Sequence, residues 1–200
     1  MEIEHKFRLP RQGMLTLRKK MNEIWWKAPL SYQRDTYFLP AEPGYIYRLR
    51  GLTPEKGPAK VELTAKTYGG DPEVREEITL PLVNVPGLGG TVEKFMKTMI
   101  LLWSGTIEKT VNTWRVDDCE VAVYSCYATV DGSDGPWSYF VEVEYMGHAQ
   151  TAQEQEEARA ALAAVEEKLG LAGHERETRS LFDLLLSEHM QTTLRSSEAP

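Results

Sequence analysis

The sequence of 200 residues has only 2 cysteines, no long apolar run and no excess of basic residues. No apolar run approaches the roughly 18 residues that a transmembrane helix needs. Glu2 and Glu4 also stand where a secretory signal would carry basic residues. We therefore expect a soluble, cytoplasmic protein with no membrane partner. The 23 Lys and Arg residues against 30 Asp and Glu give a net charge of −7, which argues against sequence-independent nucleic-acid binding as the main task.

The two cysteines, Cys119 and Cys126, fall within one predicted strand. Seven residues of extended strand span roughly 23 Å, whereas a disulfide needs Cα atoms about 4.4–6.8 Å apart. We therefore predict two free thiols. The four histidines show no metal-ligand spacing with these cysteines, so the pattern does not favour a zinc site.

The composition, with 42% hydrophobic and 26% charged residues, predicts one globular domain. Helical periodicity occurs at Val92–Trp103, Ala158–Leu169 and Leu181–Leu185, and more weakly at Gln12–Met21. We place a single domain over residues 1–190. Residues 191–200 are polar and aperiodic, and we predict a disordered tail there. Eight segments rich in β-branched and aromatic residues are predicted strands: Glu2–Arg8, Leu30–Leu39, Tyr45–Leu52, Lys60–Tyr68, Val74–Leu82, Thr106–Val116, Cys119–Thr129 and Ser138–Met146.

In six of these strands the charged residues alternate, so that they share one face while apolar residues occupy the other. For a single strand, the simpler interpretation is the solvated face of an open sheet. Six such strands favour a sheet that closes on itself and encloses the charges. Enclosed carboxylates require divalent cations, and enclosed Arg and Lys side chains require phosphates. The charges that share parity are Glu2, Glu4 and Lys6; Arg48 and Arg50; Glu62 and Lys66; Arg75 and Glu77; Lys109 and Arg115; Glu142 and Glu144.

Seven short motifs also follow one another along the chain. They are Glu2-Ile3-Glu4-His5-Lys6, Asp35-Thr36-Tyr37-Phe38, Arg48-Leu49-Arg50, Leu63-Thr64-Ala65-Lys66, Arg75-x-Glu77, Glu108-Lys109-Thr110 and Phe140-Val141-Glu142-Val143-Glu144. In this order they resemble the ExExK, DTYF, RxR, LTxK, RxE, EKT and ExE motifs of the CYTH, or triphosphate tunnel metalloenzyme, superfamily. ExExK alone is a common string, but seven motifs in the order of the family are specific.

The resemblance implies an α+β fold in which an eight-stranded antiparallel β tunnel, a closed barrel with flanking helices, binds a triphosphate with Mg²⁺ or Mn²⁺. It implies four catalytic residues: Glu4, Lys6, Glu77 and Lys109. The implied metal ligands are Glu2, Glu4, Glu77, Glu142 and Glu144. The implied phosphate-binding residues are Lys6, Arg48, Arg50, Lys66, Arg75, Lys109 and Arg115.

The chain departs from the family at Val111, where many members have arginine, and at Ala122, where many have an acid. Asp35 is interpreted mainly as part of a packing and turn element. Trp25 and Trp26 either pack the first helix or stack on the ring of a substrate.

The leading hypothesis is a metal-dependent triphosphatase that acts on inorganic triphosphate or on a nucleoside or organic triphosphate. An adenylyl cyclase that makes 3′,5′-cyclic AMP and pyrophosphate, and a triphosphate-binding module without turnover, remain alternatives. An RNA 5′-triphosphate end is the one nucleic-acid partner that stays open, and the sequence leaves the oligomeric state undecided.

Overall fold

A computed structural model describes residues 3–40, 45–67, 77–82, 87–99 and 101–197, with side chains throughout except at 66, 67, 77 and 193–197. No helix in these ranges is long and apolar enough to cross a membrane. The strands are β1 (Glu4–Arg8), β2 (Leu30–Pro40), β3 (Tyr45–Pro54), β4 (Lys60–Thr67), β5 (Glu77–Leu82), β6 (Leu101–Val116), β7 (Cys119–Val130), β8 (Ser133–Asp134) and β9 (Ser138–Tyr145). The helices are α1 (Arg11–Ile24), α2 (Leu88–Met96), α3 (Ala152–Leu169), α4 (Leu181–Leu185) and α5 (Ser187–Ser197).

Each predicted strand corresponds to an observed one, although boundaries shift by a few residues, and two departures from the prediction bear on the fold. The helix predicted over Val92–Trp103 ends at Met96, because β6 already begins at Leu101 and pairs there with the end of β2. Strand pairing thus takes precedence over a helical pattern in this segment. The disordered tail predicted over 191–200 is wrong as far as Ser197, because α5 continues to that residue.

The strands form one antiparallel sheet in the order β1-β9-β7-β6-β2-β3-β4-β5, with β8 paired to β7. The prediction of a closed barrel is wrong, since β1 and β5 are the two edges of this sheet and do not pair within the described ranges. The segment after α3 covers the β1 edge: the Glu177 amide donates a 2.7 Å hydrogen bond to the Lys6 carbonyl. That carbonyl is therefore not available to a further strand.

One face of the sheet, the outer face, packs against α1 and α3. Strands β1, β7 and β9 contribute alternate residues to this core, including Phe7, Val121 and Val143. Helix α3 covers them with Leu162 and Val165, both essentially inaccessible to solvent. Burying a side chain of this kind stabilises the fold by about 1.5–3 kcal/mol, so the outer face is the main source of hydrophobic stabilisation at this end of the sheet.

The opposite face, the inner face, carries Lys6, Asp35, Arg50, Lys109 and Glu142, as the registers of the paired strands show. The same face also has an apolar end, where Leu181, Phe182, Leu186 and Met190 of the C-terminal helices pack on Tyr37, Ile107 and Phe140. The alternation in the sequence predicted a fully charged inner face. The apolar end departs from that prediction because α4 and α5 need a surface on which to bury their own side chains.

Both cysteines are buried free thiols, as predicted. Burial raises the pKa of Cys119 to about 11 and that of Cys126 to about 12. Both thiols are therefore protonated at neutral pH and are poor nucleophiles.

The packing of α4 on the inner face predicts a large effect of Phe182→Ala. The Phe182 ring lies 5.5 Å from the Tyr37 ring and 5.7 Å from the Trp103 ring, measured between centroids. Truncation of a buried phenylalanine lowers the free energy of unfolding by about 3–5 kcal/mol. The matched control is Phe95→Ala, because Phe95 is 65% exposed; it should change that energy by at most about 0.5 kcal/mol. Equal urea midpoints for the two variants would contradict this packing.

Candidate active site

The charged part of the inner face surrounds a cavity of about 110 Å³. Five strands, β2, β3, β6, β7 and β9, contribute to it, so the sheet curves around this space. Apart from Val111 and Ala122, its walls are polar. The lining residues are Gln33, Arg50, Lys109, Val111, Thr113, Glu120, Ala122, Tyr124, Glu142 and Glu144.

Asp35 organises the basic side of the cavity from the middle of β2. Its carboxylate is fully buried and accepts hydrogen bonds from Arg50 Nε and Nη2, at 2.8 and 2.9 Å. Lys109 Nζ lies 2.8 Å from Asp35 Oδ2 and forms a second ion pair with the same carboxylate. Asp35 stands directly opposite Arg50 on β3, and on β6 Lys109 lies opposite Gln33, two residues from Asp35 on the same face. A single carboxylate therefore fixes two of the predicted phosphate-binding side chains.

The pKa values in this cluster follow from burial and from the neighbouring charges. Burial alone would raise the pKa of Asp35, but Lys109 and Arg50 outweigh burial and hold it well below its ordinary range. Burial lowers the pKa of Lys109, although Asp35 opposes that shift. At Arg50 the Asp35 contact outweighs burial and raises the pKa.

Glu142 is the second carboxylate among the cations. Its Oε1 lies 3.8 Å from Lys6 Nζ and accepts a 2.7 Å hydrogen bond from the Tyr124 hydroxyl. Lys109 Nζ sits 5.6 Å from the centre of the Tyr124 ring, so Tyr124 bridges Lys109 and Glu142. Burial would raise the pKa of Glu142, but Lys6 and Lys109 outweigh it and lower the pKa.

Three further carboxylates form a row across neighbouring strands, which we call the acid row: Glu4, Glu144 and Glu120. Glu4 is directly opposite Glu144, and Glu144 is directly opposite Glu120. Arg115 follows on β6, opposite Glu120. Burial raises the pKa of Glu120, and Arg115 offsets this only in part.

The donor set of the acid row fits a hard divalent cation. Carboxylates on adjacent strands, with Cβ atoms about 4.5–5.5 Å apart, repel one another unless a cation lies between them. Within the described part of the chain, no group of three or more His, Cys, Asp and Glu side chains is close enough to hold a metal ion alone. Mg²⁺ needs only one or two protein carboxylates, because water and phosphate oxygens complete its shell. Glu4 and Glu144 together would meet that need.

The remaining predicted site residues differ in where they lie and in how fully the structure describes them. Arg48 is buried on the inner face, where its Nη2 donates to Thr64 Oγ1 at 3.3 Å. Arg115 is exposed at the end of β6. Glu2 and Arg75 lie outside the described residues. Lys66 and Glu77 are described by their backbones alone, which are directly opposite each other on β4 and β5.

Two inner-face acids were missed by sequence reasoning as site residues. Asp35 was assigned to packing, because the residues around it, Thr36-Tyr37-Phe38, are typical of a buried strand. Glu120 was noted only in connection with the departure at Ala122. Alternate residues of β7 share one face, so Glu120 lies on the same face as Tyr124. This alternation could have identified Glu120 from the sequence.

The two tryptophans before β2 take different positions. Trp25 packs partly buried against the outer-face core, as the packing interpretation predicted. Trp26 is 53% exposed, and its backbone carbonyl accepts a 2.8 Å hydrogen bond from Trp114 Nε1. Stacking of Trp26 on a substrate ring stays a prediction.

No protein-family model and no curated protein sequence matches the chain. Solved structures do match it in fold. A conserved hypothetical protein from Pyrococcus furiosus is 22% identical, with a TM-score of 0.60 over 92% of this chain and 100% of that one. A putative adenylate cyclase from Bacillus halodurans is 13% identical, with a TM-score of 0.58 over 93% and 97%. HpAC1 from Hippeastrum, a putative adenylyl cyclase described as having a dominant triphosphatase activity, is 16% identical, with a TM-score of 0.57 over 100% and 98%. The chain therefore shares its fold with these proteins over nearly its whole length.

Proposed function

We propose that this protein hydrolyses a triphosphate, inorganic or attached to a nucleoside or other organic group, in the inner-face cavity with Mg²⁺ or Mn²⁺. One observation carries the proposal. Four cations, Lys6, Arg48, Arg50 and Lys109, surround only two carboxylates, Asp35 and Glu142, beside a separate acid row. Basic groups of the kind that bind phosphate oxygens thus stand beside carboxylates of the kind that bind a hard divalent cation, and a metal triphosphate matches that combination.

The basic side chains are suited to hold the phosphate chain. Asp35 uses only two of the five N–H groups of Arg50, and guanidinium groups bind phosphate oxygens in pairs. Lys109, next to Arg50 at the same Asp35 carboxylate, and Lys6, next to Glu142, add compact positive charges. These groups are already fixed by buried carboxylates, so little reorganisation is needed when the phosphate chain binds.

Hydrolysis then follows from positioning. A water molecule attacks the terminal phosphorus, the new P–O bond forms in line with the leaving diphosphate, and the bridging P–O bond breaks. The proton released by the water passes to a carboxylate of the acid row. The bound metal supplies neutralisation of the charge on the phosphate oxygens. Arg50 and Lys109 stabilise the negative charge that moves onto the leaving diphosphate. The proposed site also includes residues that the motif resemblance alone implies. They are the metal ligands Glu2 and Glu77 and the phosphate-binding residues Lys66 and Arg75.

A cyclase is the second candidate, because two of the matched proteins are described as putative adenylyl cyclases. In that reaction a nucleoside 3′-hydroxyl takes the place of the water, attacks the α-phosphate and releases pyrophosphate. The CYTH resemblance of the motifs is compatible with both reactions, so the products decide between them.

The test is a panel of inorganic triphosphate, ATP, GTP and thiamine triphosphate, each with Mg²⁺ and with Mn²⁺, analysed by chromatography of the products. We expect metal-dependent release of phosphate with no cyclic nucleotide. Cyclic AMP with pyrophosphate would instead establish the cyclase. Tight triphosphate binding with no product after long incubation would establish a binding module.

The variant Glu4→Gln tests whether the acid row binds the metal that the activity requires. Loss of one acid-row charge should raise the Mn²⁺ concentration for half-maximal activity about 10- to 100-fold, the range found when a metal site is perturbed. Glu23→Gln is the matched control, since Glu23 is a 63% exposed side chain on α1. A Mn²⁺ requirement that is the same in both variants would show that the acid row is not the metal site.

Asp35→Asn should destabilise the free protein and increase its response to anions. Removing this charge leaves Lys109 and Arg50 without their buried counter-ion, which lowers the free energy of unfolding by about 3–5 kcal/mol. Inorganic triphosphate in EDTA should then raise the Tm of the variant more than that of the wild type, because the anion replaces the missing charge. Asp118→Asn, in the exposed turn between β6 and β7, should behave like the wild type. An equal Tm rise in all three proteins would contradict triphosphate binding beside Asp35.

Lys109→Arg should extend activity to higher pH. Burial lowers the pKa of Lys109, so its charge is lost at a lower pH than the charge of an exposed lysine. The KM for triphosphate should therefore rise on the alkaline side. Arginine keeps its charge there, so the rise should move to higher pH in the variant. Exposed Lys97→Arg serves as the control, and an alkaline limb common to all three proteins would exclude Lys109 as its cause.

A further inference from the structure

The outer side of β1 carries one polar side chain between two apolar ones. Ile3, His5 and Phe7 are 2%, 3% and 1% exposed, and the two apolar side chains belong to the outer-face core. His5 Nδ1 is hydrogen-bonded to Glu166 Oε1 of α3, which is itself only 5% exposed. A polar pair in an apolar layer adds little stability compared with well-packed apolar residues. This placement therefore calls for another explanation.

Glu166 is held from a second side as well. Arg176, in the segment that follows α3, donates from Nη2 to both carboxylate oxygens, at 3.4 and 3.1 Å. The Glu166 backbone carbonyl accepts from the Leu171 amide at 2.8 Å, which links the end of α3 to the same segment. The carboxylate thus has a fixed position relative to β1. His5 Nε2, in contrast, is buried with no hydrogen-bond partner among the described residues, so the arrangement is not one that maximises stability.

The segment after α3 also contacts the next residue of β1. The Glu177 amide donates to the Lys6 carbonyl at 2.7 Å. Two successive residues of β1 are therefore held from outside the sheet, His5 by Glu166 and Lys6 by Glu177. On either side of His5 in sequence stand Glu4 and Lys6, which lie on the inner face opposite the cavity-lining residues Glu144 and Glu142.

We propose that His5 and Glu166 are positioning residues that fix the register of β1 and thereby place Glu4 and Lys6 beside the cavity-lining residues Glu144 and Glu142. β1 is an edge strand and pairs only with β9 among the described strands. A slip of two residues keeps the alternation of faces but puts Ile3 or Phe7 opposite Glu166, so that this buried carboxylate loses its histidine and keeps only Arg176. The same slip moves Lys6 away from Glu142 and Glu4 away from Glu144. The inference rests on the proposed function only in the role that it gives to Glu4 and Lys6.

The double variant His5→Leu/Glu166→Leu tests whether the pair sets the position of β1 or only stabilises the fold. Apolar replacement of a buried pair is often neutral or stabilising, so we expect a Tm equal to or above that of the wild type. We nevertheless expect the KM for inorganic triphosphate to rise by about 10-fold, with a smaller change in kcat, because the misplaced groups bind substrate. Glu166→Gln keeps an acceptor for His5 and should restore the wild-type KM. Glu167→Gln, one residue along on the exposed side of α3, is the matched control.

Two results would overturn the proposal. One is a double variant with wild-type KM and kcat. The other is a loss of activity that only follows the loss of folded protein, which would make the pair purely structural. If the wild-type protein hydrolyses no triphosphate, the proposed function is refuted. The positioning role can still be tested, because hydrogen exchange measures the protection of the β1 amides without any activity. Faster exchange of the amides of His5, Lys6 and Phe7 in the double variant, at an unchanged Tm, supports the positioning role, and equal exchange refutes it.

Discussion

The fold and the candidate site both depend on one fully buried carboxylate. A buried charge is tolerated only when it is paired and hydrogen-bonded, and Asp35 reaches its partners only if β3 and β6 flank β2 in the observed registers. A shift of one residue on either side would turn Arg50 or Lys109 to the outer face. The ion cluster therefore sets the register of the three central strands and, through the same contacts, orients Arg50 and Lys109, the two proposed phosphate-binding groups.

Much of the inner face was predictable, because alternation along a strand is a local property. Glu4, Lys6, Arg48, Lys109 and Glu142 were assigned to one face from parity alone, and the strand registers place them there. Tertiary features were harder to predict. Asp35 is the one acid of β2, and its importance arises from Arg50 and Lys109, which lie 15 and 74 positions further along the chain.

Closure of the sheet could not be read from the strands either. Whether two edge strands meet depends on what else competes for their backbone groups, and here the segment after α3 takes the Lys6 carbonyl. The end of α2 shows the same dependence on distant partners. Its apolar pattern continued past Met96, but the β2 strand offers backbone hydrogen bonds to the residues from Leu101 onward. Local periodicity identifies candidate elements, and competition for hydrogen bonds decides where they end.

The site is divided between parts of the sheet that differ in local stability. Asp35, Arg50 and Lys109 lie on strands with neighbours on both sides, whereas Glu4 and Lys6 lie on β1, which has one strand neighbour in the described chain. Edge strands open at lower free energy than central ones. Warming should therefore detach β1 while the basic cluster is still intact. Below its global unfolding temperature the protein would pass through a state that keeps the basic cluster but has lost Glu4, the proposed metal ligand, so that heat inactivation precedes loss of the fold.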